Sequence, residues 1–416
     1  MRYMYGQAVY GRATRPKRNQ TPYRKIDMNK VFKVIWNHAT QTWTAVSEIS
    51  HAHGKKSASD KRKAVAAAVA AAGALMASGG AIASTDLTTN DAVNIAPNNV
   101  PNPAAGREAV AVGPNANASH QHAIAIGRNA AANWTNTISI GKDTATSKDH
   151  AIAIGTSTNA SGVQSVTVGS YSNASADSVV AIGQESKAGG TGGGTAAVAV
   201  GYLANASAAN TVATGKSAAA SVDNAVAVGV QSNASARVAT ALGGYSAASA
   251  ERATAVGAAS KATGTASFAG GTSANAAGVN SVAVGGSMTA AEAAQAAGAN
   301  SIAVGSKSNA QQAADVAVGH GATANGTSTG TDAEGTVNNA GSAMAIGTNA
   351  QATGIVATAI GQRSQALANG AVALGGDAQA KQGSAVAIGR GSVADGISAS
   401  AFGPAAQATA KYAVAL

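Results

Sequence analysis

The sequence predicts an all-β solenoid whose coils are about fourteen residues long, and three observations predict it. A five-residue phrase, seen as Ala225-Val226-Ala227-Val228-Gly229, returns with small changes from Val110 to the last residue. Its glycine falls at twenty positions from Gly113 to Gly403, and sixteen of the nineteen intervals between them are fourteen residues. Within a phrase such as Ala151-Ile152-Ala153-Ile154-Gly155, β-branched residues alternate with alanine at a period of two. That places Ile152 and Ile154 on one face of a strand and Ala151 and Ala153 on the other. Finally, aromatic residues make up only 3 % of the chain, too little bulk for a large globular core, so each coil must bury itself against its neighbours.

Fourteen residues cannot hold a strand, a helix and two turns. Each coil therefore reads as two short strands and two turns, with the phrase glycine permitting one turn. The residues assigned to the repeat core are Val112 and Gly113, Ile126 and Gly127, Ile154 and Gly155, Val228 and Gly229, Val284 and Gly285, Val304 and Gly305, and Ile388 and Gly389. Both faces of the phrase are apolar, so the pattern leaves open which one lines the interior and which one needs cover elsewhere.

Residues 1–83 read as a leader. Fourteen of the 28 Lys and Arg, but three of the 18 Asp and Glu, precede Ser84, which leaves a net of −1 on the remainder. The formal charge of +10 therefore belongs to the leader, and no nucleic-acid partner is expected. Lys55, Lys56, Lys61, Arg62 and Lys63 precede an apolar run from Ala64 to Met76, and Ala81-Ile82-Ala83 follows. This is the layout of a secretory signal cleaved between Ala83 and Ser84; the run is too short and too alanine-rich to span a bilayer. Met28 to Asn37 and Gln41 to Glu48 resemble the extended signal-peptide region of type V secretion systems. On that reading Met28 is the start, residues 28–83 are the extended signal, and residues 1–27 are an upstream misannotation or a further extension.

Residues 84–109 contain Pro97, Pro101 and Pro103 among several asparagines and read as an irregular N-terminal cap or linker. The array runs from 110 to 416. Between phrases, small polar residues alternate with alanine, as in Ser170 to Asp177, and alanine recurs five residues after the glycine at Ala118, Ala132, Ala160, Ala174, Ala206 and Ala234. These mark a second, plainer strand. Pro114 and Pro404 each follow a phrase glycine directly, where a turn accepts a residue without an N–H. Three intervals are long. Gly183 to Gly201 adds a glycine-rich stretch; Gly285 to Gly305 contains Thr289-Ala290-Ala291-Glu292, which predicts a capping box on a short helical turn; Gly319 to Gly347 spans two periods and reads as a degenerate coil. Such insertions fall on loops of one face, often the binding face. The chain stops at Ala413-Val414-Ala415-Leu416, four residues into a phrase, so the expectation is a gene product that continues.

Candidates for site chemistry are few. Gly319 to Ala324 and Gly389 to Ala394 fit a loose dinucleotide pattern, but no helix-forming segment follows either. Gly215-Lys216-Ser217 ends like a phosphate loop, yet Asn210 stands where its first glycine is required. His120 and His122 could share one side of a strand, with no third metal ligand nearby. Asn117, Asn159 and Asn173 begin sequon-like triplets that read more simply as recurring polar turns. There are no cysteines. No metal, cofactor or catalytic residue is expected. A β-helix enzyme would align acids, arginines or a histidine on successive coils, and none align. An ice-binding solenoid would carry a continuing Thr-x-Thr ladder, whereas Thr144/Thr146 and Thr156/Thr158 are out of phase.

Asn280-Ser281-Val282-Ala283-Val284-Gly285 and Asn300-Ser301-Ile302-Ala303-Val304-Gly305 nearly spell the Asn-Ser-Val-Ala-Ile-Gly signature of head repeats in YadA-like trimeric autotransporter adhesins. The resemblance covers roughly three-quarters of the chain, twenty phrases in register behind a matching leader. It implies a left-handed parallel β-roll assembled as a homotrimer on the outer membrane of a Gram-negative bacterium. It also implies attachment to a host extracellular matrix protein, collagen-like or other, or to host cells. The family's neck, stalk and C-terminal barrel are not found here, so membrane anchoring would rest on a barrel absent from this chain.

Overall fold

The computed structural model describes residues 32–37, 42–47, 82–83, 93–97, 106–190, 194–327 and 341–416. The chain divides into two units, Met1–Leu75 and Met76–Leu416. In the first, Phe32–Asn37 and Thr42–Ser47 pair antiparallel, with Phe32 opposite Ser47 and Trp36 opposite Trp43. This hairpin was not foreseen. The apolar run and Ser84 of the expected cleavage site lie outside the described residues; Ile82–Ala83 pairs antiparallel with Val93–Pro97.

The second unit is a parallel β-solenoid. Twenty three-residue strands, from Val110–Val112 to Ser400–Phe402, stack in one ladder, and nineteen two-residue strands, from Ala131–Ala132 to Gln407–Ala408, stack in another. Equivalent residues pair across coils, Val226 with Thr240 and Val228 with Leu242, Asn233 with Ala247. Backbone bonds run both ways along the stack, as in Val226 N–H to Ala239 C=O at 2.9 Å and Gly229 N–H to Thr214 C=O at 2.8 Å. Each coil thus holds two strands and two turns, as its length requires.

The interior is made of alanine. In one coil Ala218, Ala220, Ala225 and Ala227 are all fully buried. The face left open by the pattern is thereby assigned for a single chain, and the β-branched residues of the repeat core lie outward: Val112 and Val304 are partly exposed, and Ile126, Ile154, Val228, Val284 and Ile388 are exposed at 36–38 %. Two strands joined by tight turns enclose a space that a methyl group fills, so the larger β-branched side chains point outward. Where the inward positions are polar, several hydroxyls bond to one another or to turn carbonyls, while those of Thr158, Ser267, Ser281 and Ser301 are buried without a partner. Ser139 Oγ donates to Thr144 Oγ1 at 2.7 Å, and Ser172 Oγ donates to the Gly169 carbonyl at 2.9 Å.

Both corners of each coil are left-handed. The phrase glycines take φ near +130°, as Gly229 does at +133°, where a Cβ would sit 2.5 Å from the backbone of Gly243. Two residues beyond the phrase glycine, and again just before the next phrase, non-glycine residues such as Asn115, Asn129, Asn224 and Val238 adopt φ of 56°, 57°, 59° and 58°. Asn tolerates that region well; a β-branched residue there is strained.

Three expectations are corrected. The cap is not wholly irregular, because Val93, Asn94 and Ile95 pair parallel with Val110, Ala111 and Val112 and extend the ladder. The long interval after Gly319 holds no coil in the ladder, since Val316–Val318 pairs directly with Met344–Ile346. The turn in the second insertion is a 3-10 turn, Ala290–Glu292, whose Thr289 side chain makes no capping bond to the backbone. Instead, its hydroxyl donates to Glu292 Oε2 at 3.3 Å, because three residues are too few to develop the α-helical geometry that a capping box requires.

Candidate binding surface

Three outward features are available for contact. The first is the outer face of the three-residue strands, a partly exposed stripe made mostly of Val and Ile, with Thr, Leu or Met at some positions and with Phe268 and Phe402 at 38 % exposure each. The ring of Phe268 lies over Gly270, where a Cβ would be 2.9 Å from it, and Phe402 is paired within its strand with Ser400. A large residue is thus matched by a small one along the strand.

The second is the polar surface of the corners and two-residue strands. Coil stacking turns each side-chain position into a column. Asn115 Nδ2 donates to Asn129 Oδ1 at 3.0 Å, and Asn129 Nδ2 donates to Asp143 Oδ1 at 2.6 Å. The Asn129 bond, helped by Lys142, holds the Asp143 carboxyl below its ordinary range. Arg237 bonds Glu251 at 2.8 Å, and Arg363 grips Asp377 with two bonds of 2.7 and 2.9 Å. The facing guanidinium lowers each carboxyl. All three sites are exposed, so water and salt screen them.

The candidate metal pair resolves into such columns. His122 faces Asn136 Oδ1 at 2.9 Å on one ring nitrogen and Glu108 on the other. His120 stacks on Trp134 at 6.0 Å, with Lys148 Nζ 5.5 Å from the same ring's centroid. Asn159 and Asn173 open two-residue strands, correcting their placement in turns. Both dinucleotide-like patterns run straight into strands, Thr323–Ala324 and Val393–Ala394. Thr144, Thr146 and Thr158 are buried at 1–2 % exposure and offer no hydroxyl ladder to a surface.

The third feature is the insertions. Beside the first lies an open groove of about 830 Å³ lined by Asn173, Asp177, Lys187, Thr195, Asn205 and Ser207 among others. Asp177 there also accepts the Val163 N–H at 2.8 Å. The signal for this groove was present in the sequence as the broken period at Gly189 and Gly190.

Two family models match. Residues 28–77 match the Extended Signal Peptide of Type V secretion system. The YadA head domain repeat matches in twelve stretches between 104–130 and 394–416, together more than half of the chain. The matched stretches leave out 187–192, 288–291 and 309–338, which take in part of each broken period, and also short pieces of regular coils such as 131–134 and 219–222.

Proposed function

Because the chain belongs to the family built on YadA head domain repeats, we propose that it is the exported head of a trimeric adhesin, presented at the cell surface and attached to host extracellular matrix or host cells. The observation that carries this reading is the conjunction of a type V secretion leader with head repeats on one chain. The partly exposed stripe, made mostly of Val and Ile, supports assembly of three left-handed β-rolls with that face turned to the threefold axis, since so long an apolar surface is rare on a monomer.

The remaining surface suits adhesion. Some twenty coils at about 4.8 Å spacing give an array roughly 100 Å long, and every outward side chain would appear three times. Weak contacts repeated on one rigid body gain strongly by avidity, so no deep pocket is required. The insertions at 184–200, 286–300 and 320–342 are the proposed contact sites, because they are what this chain adds to the plain repeat.

The test is to couple residues 84–416 to beads and measure retention on collagen, other matrix proteins and host cells, deleting the insertions singly and together. The expected result is retention that falls when insertions are removed. No retention by folded protein on any surface would overturn adhesion, and undiminished retention after all three deletions would overturn the placement.

A further inference from the structure

We infer that Asp315 is the positioning residue that fastens the third insertion to the solenoid. The position directly before each three-residue strand points inward and, apart from Val179 and Asp315, is Ala, Ser or Thr: Ala225, Ala239 and Ala253, Ser267, Ser281 and Ser301, Thr137 and Thr211, all fully or almost fully buried. Asp315 occupies this position with no exposure at all. A carboxylate in an alanine-lined interior is costly unless its oxygens are bonded, and here they are. Oδ2 accepts from the Gln312 N–H at 2.8 Å and the Gly326 N–H at 3.2 Å, and Oδ1 accepts from the Ala343 N–H at 2.9 Å.

These donors have different meanings. Gln312 lies in the residue's own turn, and Ser165 and Thr211 serve the same turn in their coils by donating 2.7 Å bonds to the carbonyl three residues back. Gly326 and Ala343 belong to the two ends of the interruption. In regular coils the N–H equivalent to that of Ala343 bonds the turn three residues earlier, as Ala239 does to Ala236 at 3.2 Å. That equivalent to Gly326 bonds the next coil in only a few of the described coils, as Gly264 does to Ala276 at 3.3 Å and Gly278 to Ala296 at 3.2 Å. Asp315 takes over the turn's role at Ala343 and supplies an acceptor at Gly326, where the chain returns and leaves.

The backbone there is closed to a stem. A Cβ on Gly326 would lie 2.6 Å from Gly341 Cα, and one on Gly341 would collide with Asp315 Oδ1. Meanwhile Val316–Val318 and Met344–Ile346 pair as though nothing intervened. Ser342, with φ of +56°, already stands at the corner position of a regular coil. Removing 327–340 would therefore restore a coil of fourteen residues and leave the carboxylate without its purpose. The inference deepens the attachment reading by naming what ties together the two described ends of one proposed contact insertion.

The test uses the full chain in four forms: unaltered, Asp315→Ala, deletion of 327–340, and both changes together, with amide exchange followed by mass spectrometry. In the unaltered background, Asp315→Ala should speed exchange at Gly326 and Ala343 by at least about tenfold, with residues 225–257 unchanged and Asp315→Asn intermediate. In the deletion background the sign should reverse, with Asp315→Ala slowing exchange in the restored coil. An equal cost in both backgrounds would mean that Asp315 serves only its own turn and would overturn the inference, as would no effect in the unaltered chain. If the deletion fails to fold, the graded response of Asn and Ala at Gly326 and Ala343 decides. Exchange reads the fastener whatever the loop binds, so this outcome is separable from that of the bead assay.

Discussion

Gly229, at φ of +133° with Gly243 stacked against it, shows how little room a single residue has in this repeat. Gly229→Ala puts a Cβ into a backbone conformation that costs of order 1–3 kcal/mol, and into the backbone of the next coil besides. The expected outcome is local opening of the coils on either side, seen as faster amide exchange from 214 to 243, while distant coils keep their protection. Charges act more gently. The carboxyls of Asp143, Glu251 and Asp377 are lowered by the bonds they accept from Asn129, Arg237 and Arg363. A carboxyl lowered on folding adds stability that is fully present above its unfolded value and is lost as pH falls through the folded one. Urea midpoints should therefore stay flat from neutral pH to the ordinary carboxylate range and decline below it, and Glu251→Gln with Asp377→Asn should reduce that decline.

At the scale of the strand, the two faces of the phrase obey different rules. Ala227 is fully buried, whereas Val226, a neighbour on the other face, is partly exposed and pairs with Thr240. Ala227→Leu should overpack the interior and cost about 1–3 kcal/mol or more. Val226→Thr, which reproduces Thr240, Thr254 and Thr358, should stay within about 1 kcal/mol; chemical denaturation of the two variants side by side checks the asymmetry. The strands and their spacing were legible because the glycine period and the alternation agree. The choice of face was not, since hydrophobicity is the same on both. Size held the answer: the position of Ala227 is nearly always Ala across phrases, with Ser139 and Thr167 as exceptions, while that of Val228 ranges over Val, Ile, Leu, Thr, Phe and Gly, and only a tightly enclosed site restricts volume so closely. The left-handed corners had a partial signal in Asn115, Asn129, Asn224 and Asn280, obscured by Tyr171, Val238 and Val356 at equivalent places. Nothing local in the 28-residue interval tells whether it adds a strand to the ladder. Asp315 was the clue, as a charge at a position otherwise small and inward.

For the molecule as a whole, the outer stripe makes assembly separable from folding. Val228→Asp places a carboxylate where a single chain leaves the residue 37 % exposed, so the coil itself can form, but in the proposed trimer three such groups would face one another across the axis and could not be buried unpaired. Sedimentation of residues 84–416 should give a folded trimer, and the Val228→Asp variant a folded species of lower mass; a folded monomer from the unaltered sequence would refute the trimer. The ladder has a further consequence for how such a chain reaches its final state. Between regular coils its bonds join residues thirteen to fifteen apart, as Val226 N–H to Ala239 C=O and Gly229 N–H to Thr214 C=O do. Closing so short a loop costs little entropy, and contacts this local belong to the fast end of folding. A chain threaded through a secretion channel can therefore lay down each coil on the one before it as soon as fourteen more residues emerge, and every coil so docked opposes backward slippage of the strand still inside.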